Sequence, residues 1–468
     1  MGPRRARKPW VSWVAAAVAV ASVASPPALD AVAVAEAEVA QPLRRQIAAR
    51  SRPAVARSPW LDSGADQEQL GEPIDSGGGE AGGELPWWAR SVETPHDGAA
   101  VRSHPNTRGS ARRGRLGPDM RFPLLDRWHG PGCSRGPWYR VGAAAWVCGL
   151  DVALSREAPA VAPYPALERD AIAPFAYAYS GGGMRTYARP SGVGVEQPVE
   201  MLGAGWGLAI LQRDSWRGRQ VARTTRGTWI ATRGLRWVSP SPFAGAHIAR
   251  LVTGATLPIG WVRGRGARTY AEPGDRRHAG LLRGRAMVDA LDDVQHRSRT
   301  FTRLADGRFV ESRDLVRPVL LAPPDGVLPG ERWVHVDLAR QTLVAYEGEQ
   351  PVFATLVSTG RRPGSTPRGL YRIRIKLGQD TMANLGAEDP EDSYSLDGVP
   401  WVQYFTGGIA LHGAYWHDRF GSVKSHGCVN LAPRDARWLY AFTRPHVPDG
   451  WAVVLPTERD RGTPVYVH

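Results

Sequence analysis

Lysine is nearly absent from this chain of 468 residues: only Lys8, Lys376 and Lys424 stand among its 59 basic residues. The formal charge is still +14, carried almost wholly by arginine. An arginine excess of this kind fits a GC-rich coding sequence better than a binding code. From Gly330 to Pro456 the acidic and basic side chains cancel, so the excess lies upstream and favours anionic surfaces in general. No nucleic-acid-binding motif accompanies it, which leaves no nucleic-acid partner expected. Long apolar runs are missing beyond the N-terminus, so no later segment can span a bilayer. Cysteine is scarce, with Cys133, Cys148 and Cys428 alone, and the spacing of Cys and His fits no paired, finger-like zinc pattern.

The N-terminus has the layout of an export signal. Arg4, Arg5, Arg7 and Lys8 precede a short apolar run, Trp10 to Ala24, and small residues such as Ala33-Val34-Ala35 follow before Glu36. Residues 1–35 are therefore expected to be a cleaved signal peptide, with an uncleaved anchor as the alternative. After cleavage no transmembrane span is expected, and the protein would work in the periplasm or cell wall. No cysteine lies near the cleavage region, which argues against a lipoprotein. In an oxidising compartment Cys133 and Cys148, fifteen residues apart, are expected to pair as a disulfide; two buried free thiols are the alternative. Cys428 is then an unpaired, reactive thiol.

Residues 36–117 are rich in Ala, Gly, Pro, Ser, Arg and Glu and show no lasting apolar periodicity, which predicts a disordered linker. Trp87-Trp88 is an isolated apolar spot in it. A repeat follows. Met184-Arg185-Thr186-Tyr187-Ala188-Arg189-Pro190 matches Ala267-Arg268-Thr269-Tyr270-Ala271-Glu272-Pro273, and Gly227-Thr228-Trp229-Ile230 matches Gly307-Arg308-Phe309-Val310. Two copies of one supersecondary plan are implied. Short alternating strands, aromatics and Gly/Pro turns predict small β-barrels over 166–245 and 246–320, with a related unit over 118–165 that holds the two cysteines. The pattern resembles bacterial SH3-like envelope modules. That resemblance implies wall-glycan contact or substrate positioning, with a structural spacer as the plainer reading.

Composition changes over 330–456. Trp333 to Leu338, Gln341 to Tyr346, Pro351 to Val357, Arg372 to Lys376, Ile409 to His412 and Trp451 to Leu455 read as strands. Pro433 to Phe442 has helical spacing, with Ala436, Leu439, Tyr440 and Ala441 on its apolar face. A mostly β fold with one clear helix is expected, and residues 457–468 read as a tail. Within this region stand His412-Gly413 and Ser425-His426-Gly427-Cys428-Val429-Asn430. A thiol is mostly protonated at neutral pH and needs a nearby base to become a nucleophile. His412 and His426 are both candidates. The base needs an orienting acceptor, for which the Gly413 carbonyl is at hand, and N–H groups around Gly427 and Cys428 can serve an oxyanion. A buried structural thiol, or a zinc site of His412, His417, His426 and Cys428, competes with this reading. Arg361-Arg362, the acidic run Glu388 to Asp392, and Tyr415-Trp416-His417 are candidate cleft elements; Tyr404 and Met382 are candidate pocket walls. Ordinary loop charge and core packing are the plainer readings of each.

At these residues the chain resembles the YkuD-type L,D-transpeptidase family, whose signature is His-Gly, a gap, then Ser/Thr-His-Gly-Cys, an aliphatic residue and Arg or Asn. Val357-Ser358-Thr359-Gly360 and Thr366-Pro367-Arg368-Gly369 also look like the family. The resemblance implies a β-rich catalytic domain over 330–456 that needs no metal or cofactor. It implies Cys428 as nucleophile, His412 as base, Gly413 as orienting carbonyl, and Gly427 with Cys428 as oxyanion hole. His426 and Asn430 would shape the pocket; Ser425 and Tyr404, read from the residues themselves, are further substrate-binding candidates. Substrates would be peptidoglycan stem peptides: a donor tetrapeptide that loses D-alanine, and an acceptor amine giving a 3–3 cross-link. Water as acceptor would make a carboxypeptidase, and a protein amine an anchoring enzyme. In another class, the chain would be chiefly a wall-binding scaffold. Asn430 stands where many members carry arginine, which leaves recognition of the substrate terminus open.

Overall fold

The computed structural model describes residues 84–107, 110–134, 136–248, 257–385 and 393–468. The expected signal peptide and most of the expected linker lie outside the described residues. What is described is mostly β, with one α-helix among the described residues, Pro433–Phe442. No helix among them is long and apolar enough to cross a membrane.

Two sheets and the helix frame the C-terminal region. In the first, Arg332–Asp337 pairs antiparallel with Thr342–Glu347, which pairs with Gln350–Leu356. Both of the first two strands are buried almost throughout, so apolar residues cover both faces. The period of two sorts them. Val334, Val336, Leu343 and Ala345 pack toward Leu411, Val429 and Leu439, whereas Trp333, Val344 and Tyr346 enter a second cluster with Trp261, Val316 and Phe420. Trp333 and Tyr346 are direct cross-strand partners and their rings stack at 4.1 Å. The tail expected over 457–468 is corrected here. Pro464–Val467 is a parallel strand against Arg332–Asp337, with Val465 and Val467 buried. Three apolar positions in four residues are too short a signal to stand out from the loop before them.

The second sheet holds Ile375–Ala383, Ser395–Thr406, Ile409–Gly413, Val429–Leu431 and Trp451–Val454. The helix packs on it. Pro433 starts the helix where a missing N–H costs nothing. Buried Asp435 in the first turn accepts from Gly245 N at 2.9 Å and from Thr355 Oγ1 at 2.5 Å. At the other end Lys376 supplies the cap. Its fully buried ammonium donates to the carbonyls of Tyr440, Thr443 and Pro445 at 2.5, 2.9 and 3.1 Å. A cation at a helix C-terminus satisfies carbonyls that lack intrahelical partners. Burial pulls the Lys376 pKa down to about 7, opposed by the charge of Asp460, and the Tyr440 ring lies 4.5 Å from the amine.

The repeat is real in three dimensions. Gly207–Trp216, Arg219–Thr224 and Trp229–Ala231 recur as Met287–His296, Arg299–Leu304 and Phe309–Glu311. Ala176–Tyr179 pairs with the first long strand as Ile259–Val262 pairs with its counterpart, and the Thr186↔Ile230 pairing recurs as Thr269↔Val310.

The linker expected over 36–117 is corrected from residue 84 onward. Ser91–Glu93, Ala100–Arg102 and Arg112–Leu116 are strands, and Val92, Ala99, Val101 and Leu116 are buried. Each strand carries too few apolar residues to show a period. They are covered by partners far away in sequence, since Arg112–Leu116 pairs with Trp451–Val454. The unit expected to begin at 118 therefore begins earlier and is continuous with the second sheet. Cys133 and Cys148 form a disulfide in it. Trp87 is 92% exposed.

His335 is buried in the first sheet and neither ring nitrogen has a partner among the described residues. Burial lowers its pKa from 6.5 to about 4. The folded state then binds fewer protons than the unfolded chain between those values, so its contribution is complete above pH 6.5 and is lost as pH falls toward 4. His335→Phe is expected to retain roughly 2 to 3 kcal/mol at pH 4.5 that the parent loses. Urea unfolding at pH 7 and pH 4.5 measures this; an unchanged acid loss of stability would contradict it.

Candidate active site

The site is built where two short parallel strands meet. Ile409–Gly413 pairs with Val429–Leu431 in the register Leu411↔Val429, His412↔Asn430, Gly413↔Leu431. Cys428 immediately precedes the second strand, so the alternation places it, Asn430 and His412 on one side of the sheet. Buried apolar neighbours at Leu411, Val429 and Leu431 fix the other side in the core.

His412 is 1% exposed and its Nδ1 lies 3.3 Å from the Gly413 carbonyl. That carbonyl is an acceptor only, so Nδ1 carries the proton and Nε2 is left unprotonated. Burial lowers the imidazole to about 4, opposed by the Gly413 bond. Cys428 is partly exposed, with Sγ 3.7 Å from the Gly408 carbonyl. Burial raises its thiol to about 11, opposed by a hydrogen bond from the Ala410 backbone. Burial thus favours the neutral form of both thiol and imidazole.

A chain of polar contacts holds the segment carrying Cys428. Ser425 Oγ accepts from Gly427 N at 3.1 Å and donates to the Cys428 carbonyl at 2.5 Å. Thr366 Oγ1 donates to the Gly427 carbonyl at 2.6 Å and accepts from Gly360 N at 2.9 Å. Ser425 N donates to the Thr359 carbonyl at 3.0 Å. Thr359 N in turn donates to Gln341 Oε1 at 2.8 Å, so the loop is tied to the first sheet. Gly427 is required by close approach: a Cβ there would lie 2.6 Å from the Ser365 carbonyl oxygen.

Several residues expected to bind substrate are turned to the protein instead. Ser425 spends its hydroxyl on the loop. Asn430 is 1% exposed and its side-chain amide faces His417 Nε2 at 2.9 Å, which joins the Cys428 strand to the 415–417 segment. The Gly427 N–H, expected in the oxyanion hole, is engaged by Ser425 Oγ, so the Cys428 N–H is the remaining candidate of that pair. Tyr404 is buried and donates to Asp380 Oδ2 at 2.8 Å. It packs with Met382 in the cluster that Cys428 touches, and burial with the charges of Asp380 and Cys428 holds its pKa above the usual phenol range. His426 Nε2 is 2.8 Å from Arg361 Nη2, and its ring stacks on Tyr394 at 4.9 Å. The acidic run Glu388 to Asp392 lies outside the described residues. His412, His417 and His426 each face a different protein group, and no three His, Cys, Asp or Glu among the described residues are placed to share a metal ion.

Tyr394, Thr366, Gln341 and Asp380 complete the site without having been assigned roles from sequence. Burial, then the charge Cys428 gains on ionising, pushes the Tyr394 phenol up to about 12. Tyr415 is buried, and the Trp416 ring lies 5.5 Å from His412.

The family model for the L,D-transpeptidase catalytic domain, YkuD, matches residues 331–467. The putative L,D-transpeptidase YciB of Bacillus subtilis (strain 168) is 21% identical over 137 residues, which is 26% of this chain and 64% of that protein. The chain thus spans less than two thirds of that curated relative. Among solved structures, an L,D-transpeptidase from Stackebrandtia nassauensis is 29% identical over 31% of this chain and 60% of that one, with a TM-score of 0.21. An L,D-transpeptidase from Mycobacterium smegmatis is 20% identical over 49% of this chain and 99% of that one, with a TM-score of 0.24. Residues 331–467 carry an L,D-transpeptidase catalytic domain of the YkuD family.

Proposed function

We propose that this chain is an exported peptidoglycan L,D-transpeptidase that forms 3–3 cross-links through a thioester on Cys428. The observation that carries this reading is a partly exposed thiol set on the same side of two paired strands as a buried imidazole whose Nδ1 is oriented by the Gly413 carbonyl. Cys428 Sγ attacks the carbonyl between meso-diaminopimelate and the terminal D-alanine while its proton passes to His412 Nε2. The C–N bond breaks, and the same proton leaves on the D-alanine amine. An amine of a second stem then attacks the thioester, gives its proton to His412, and releases the thiol. The upstream modules, read as SH3-like, would meet wall glycan, and residues 1–35 would direct export.

The reactive form has a protonated thiol and a neutral imidazole. It prevails between about 4, where His412 gains a proton, and about 11, where the thiol proton needed by the leaving amine is lost. Acylation is expected to be flat from roughly pH 5 to 10 and to fall outside that window. Stopped-time assays of D-alanine release check this. A tenfold rise per pH unit across 6 to 9 would mean a thiolate acting without His412. Muropeptide analysis of the same reactions tests the acceptor: 3–3 dimers support cross-linking, and tripeptides alone would replace it with a carboxypeptidase.

A further inference from the structure

Two aromatic walls flank the catalytic pair, and each is held by the strand module at 176–238. The first wall is Tyr394, stacked on His426 just before the strand Ser395–Thr406. Arg226, in the turn between Arg219–Thr224 and Trp229–Ala231, reaches this segment. It donates through Nη2 to Ser395 Oγ at 3.0 Å and to Asp397 Oδ1 at 2.7 Å, and through Nη1 to Glu200 at 3.0 Å. Asp397 is fully buried, so its charge depends on that guanidinium. The second wall is Trp416 against His412. Tyr177 stacks on neighbouring Tyr415 at 3.7 Å, and Tyr179 Oη donates to the Trp416 carbonyl at 3.4 Å. Both walls meet the module at Gly207, where a Cβ would lie 2.4 Å from Tyr415 Oη and 2.8 Å from Leu396 Cδ2. A pocket of about 220 Å³ is bordered by Arg226, Thr225, Asp380 and Gly398. The contacts of Arg226 with Ser395 and Asp397 tie this segment to the module.

We propose that the module at 176–238 is a structural part of the active site, with Arg226 a positioning residue that fixes Tyr394 against His426. The consequence for turnover rests on the reading above; the consequence for local order does not. Shifting Tyr394 alters the surface a stem peptide meets but leaves Cys428 and His412 on their own strands. In the full chain, Arg226→Ala is expected to lower kcat/KM for a tetrapeptide stem at least about tenfold, mainly through KM. Alkylation of Cys428 by iodoacetamide, which needs the thiol and its deprotonation but no bound stem peptide, stays within about twofold of the parent. Arg226→Lys keeps the charge but loses the planar fork, so it recovers part of the loss, and it serves alone if Arg226→Ala does not fold. Hydrogen exchange of amides 394–397 rises in both variants. Folded variants with unchanged KM and unchanged exchange overturn the proposal, as does alkylation that falls in step with turnover. If the parent turns over no stem peptide, the proposed function fails, and exchange at 394–397 decides the positioning role by itself.

Discussion

Cys428→Ala is expected to reduce stem-peptide turnover to background, a loss of at least about 10³-fold, with the fold unchanged. Cys428 contributes little to the core, being partly exposed at the edge of a cluster that Tyr404 and Ala410 fill. Removal of Sγ therefore costs chemistry rather than packing. His412→Gln should lose nearly as much, because a thiol held near 11 has almost no thiolate at pH 7 without a base. The two groups act as one unit, so the double variant should be no worse than Cys428→Ala alone. Circular dichroism and D-alanine release on the three variants check this. Additive losses, or a His412→Gln enzyme within tenfold of the parent, would mean that another group takes the proton.

Lys376→Met is expected to be the most damaging substitution remote from the thiol, destabilising the protein by about 3 to 5 kcal/mol. Methionine fills the same channel but leaves the carbonyls of Tyr440, Thr443 and Pro445 buried without a donor. It also removes the cation from the helix C-terminus. The helix packs on Ile409–Gly413 through Ala436 and Leu439, so a loosened helix reaches His412. Urea denaturation measures the loss, and a change under about 1 kcal/mol would show that water replaces the ammonium without penalty.

The sequence and the structure agree most closely where a residue's role is local. The helix Pro433–Phe442, the strand ending at His412 and the Cys133–Cys148 pair rest on a period, a spacing or a compartment, and each is visible in a short window. Roles that depend on distant partners were not legible. Strands at 91–116 become strands because Trp451–Val454 and neighbouring segments supply their hydrogen bonds and cover. Pro464–Val467 needs Arg332–Asp337 in the same way. Ser425 and Asn430 lie in the signature, which marks them as functional but not which way they point; only the loop's contacts with Thr366, Thr359 and His417 show that they hold the cysteine in place. Arg226 and Asp397 are 171 residues apart, and nothing near either one distinguishes it from an ordinary surface charge.

Everything proposed for this site turns on a covalent step at Cys428. Intact-mass and peptide-level mass spectrometry of the full chain, quenched in acid during turnover of a tetrapeptide stem, tests it most directly. A tripeptide acyl adduct mapped to Cys428 is expected, with one D-alanine released per adduct and no adduct on the Cys428→Ala variant. D-Alanine release that continues in that variant, or an adduct on any other residue, would contradict it.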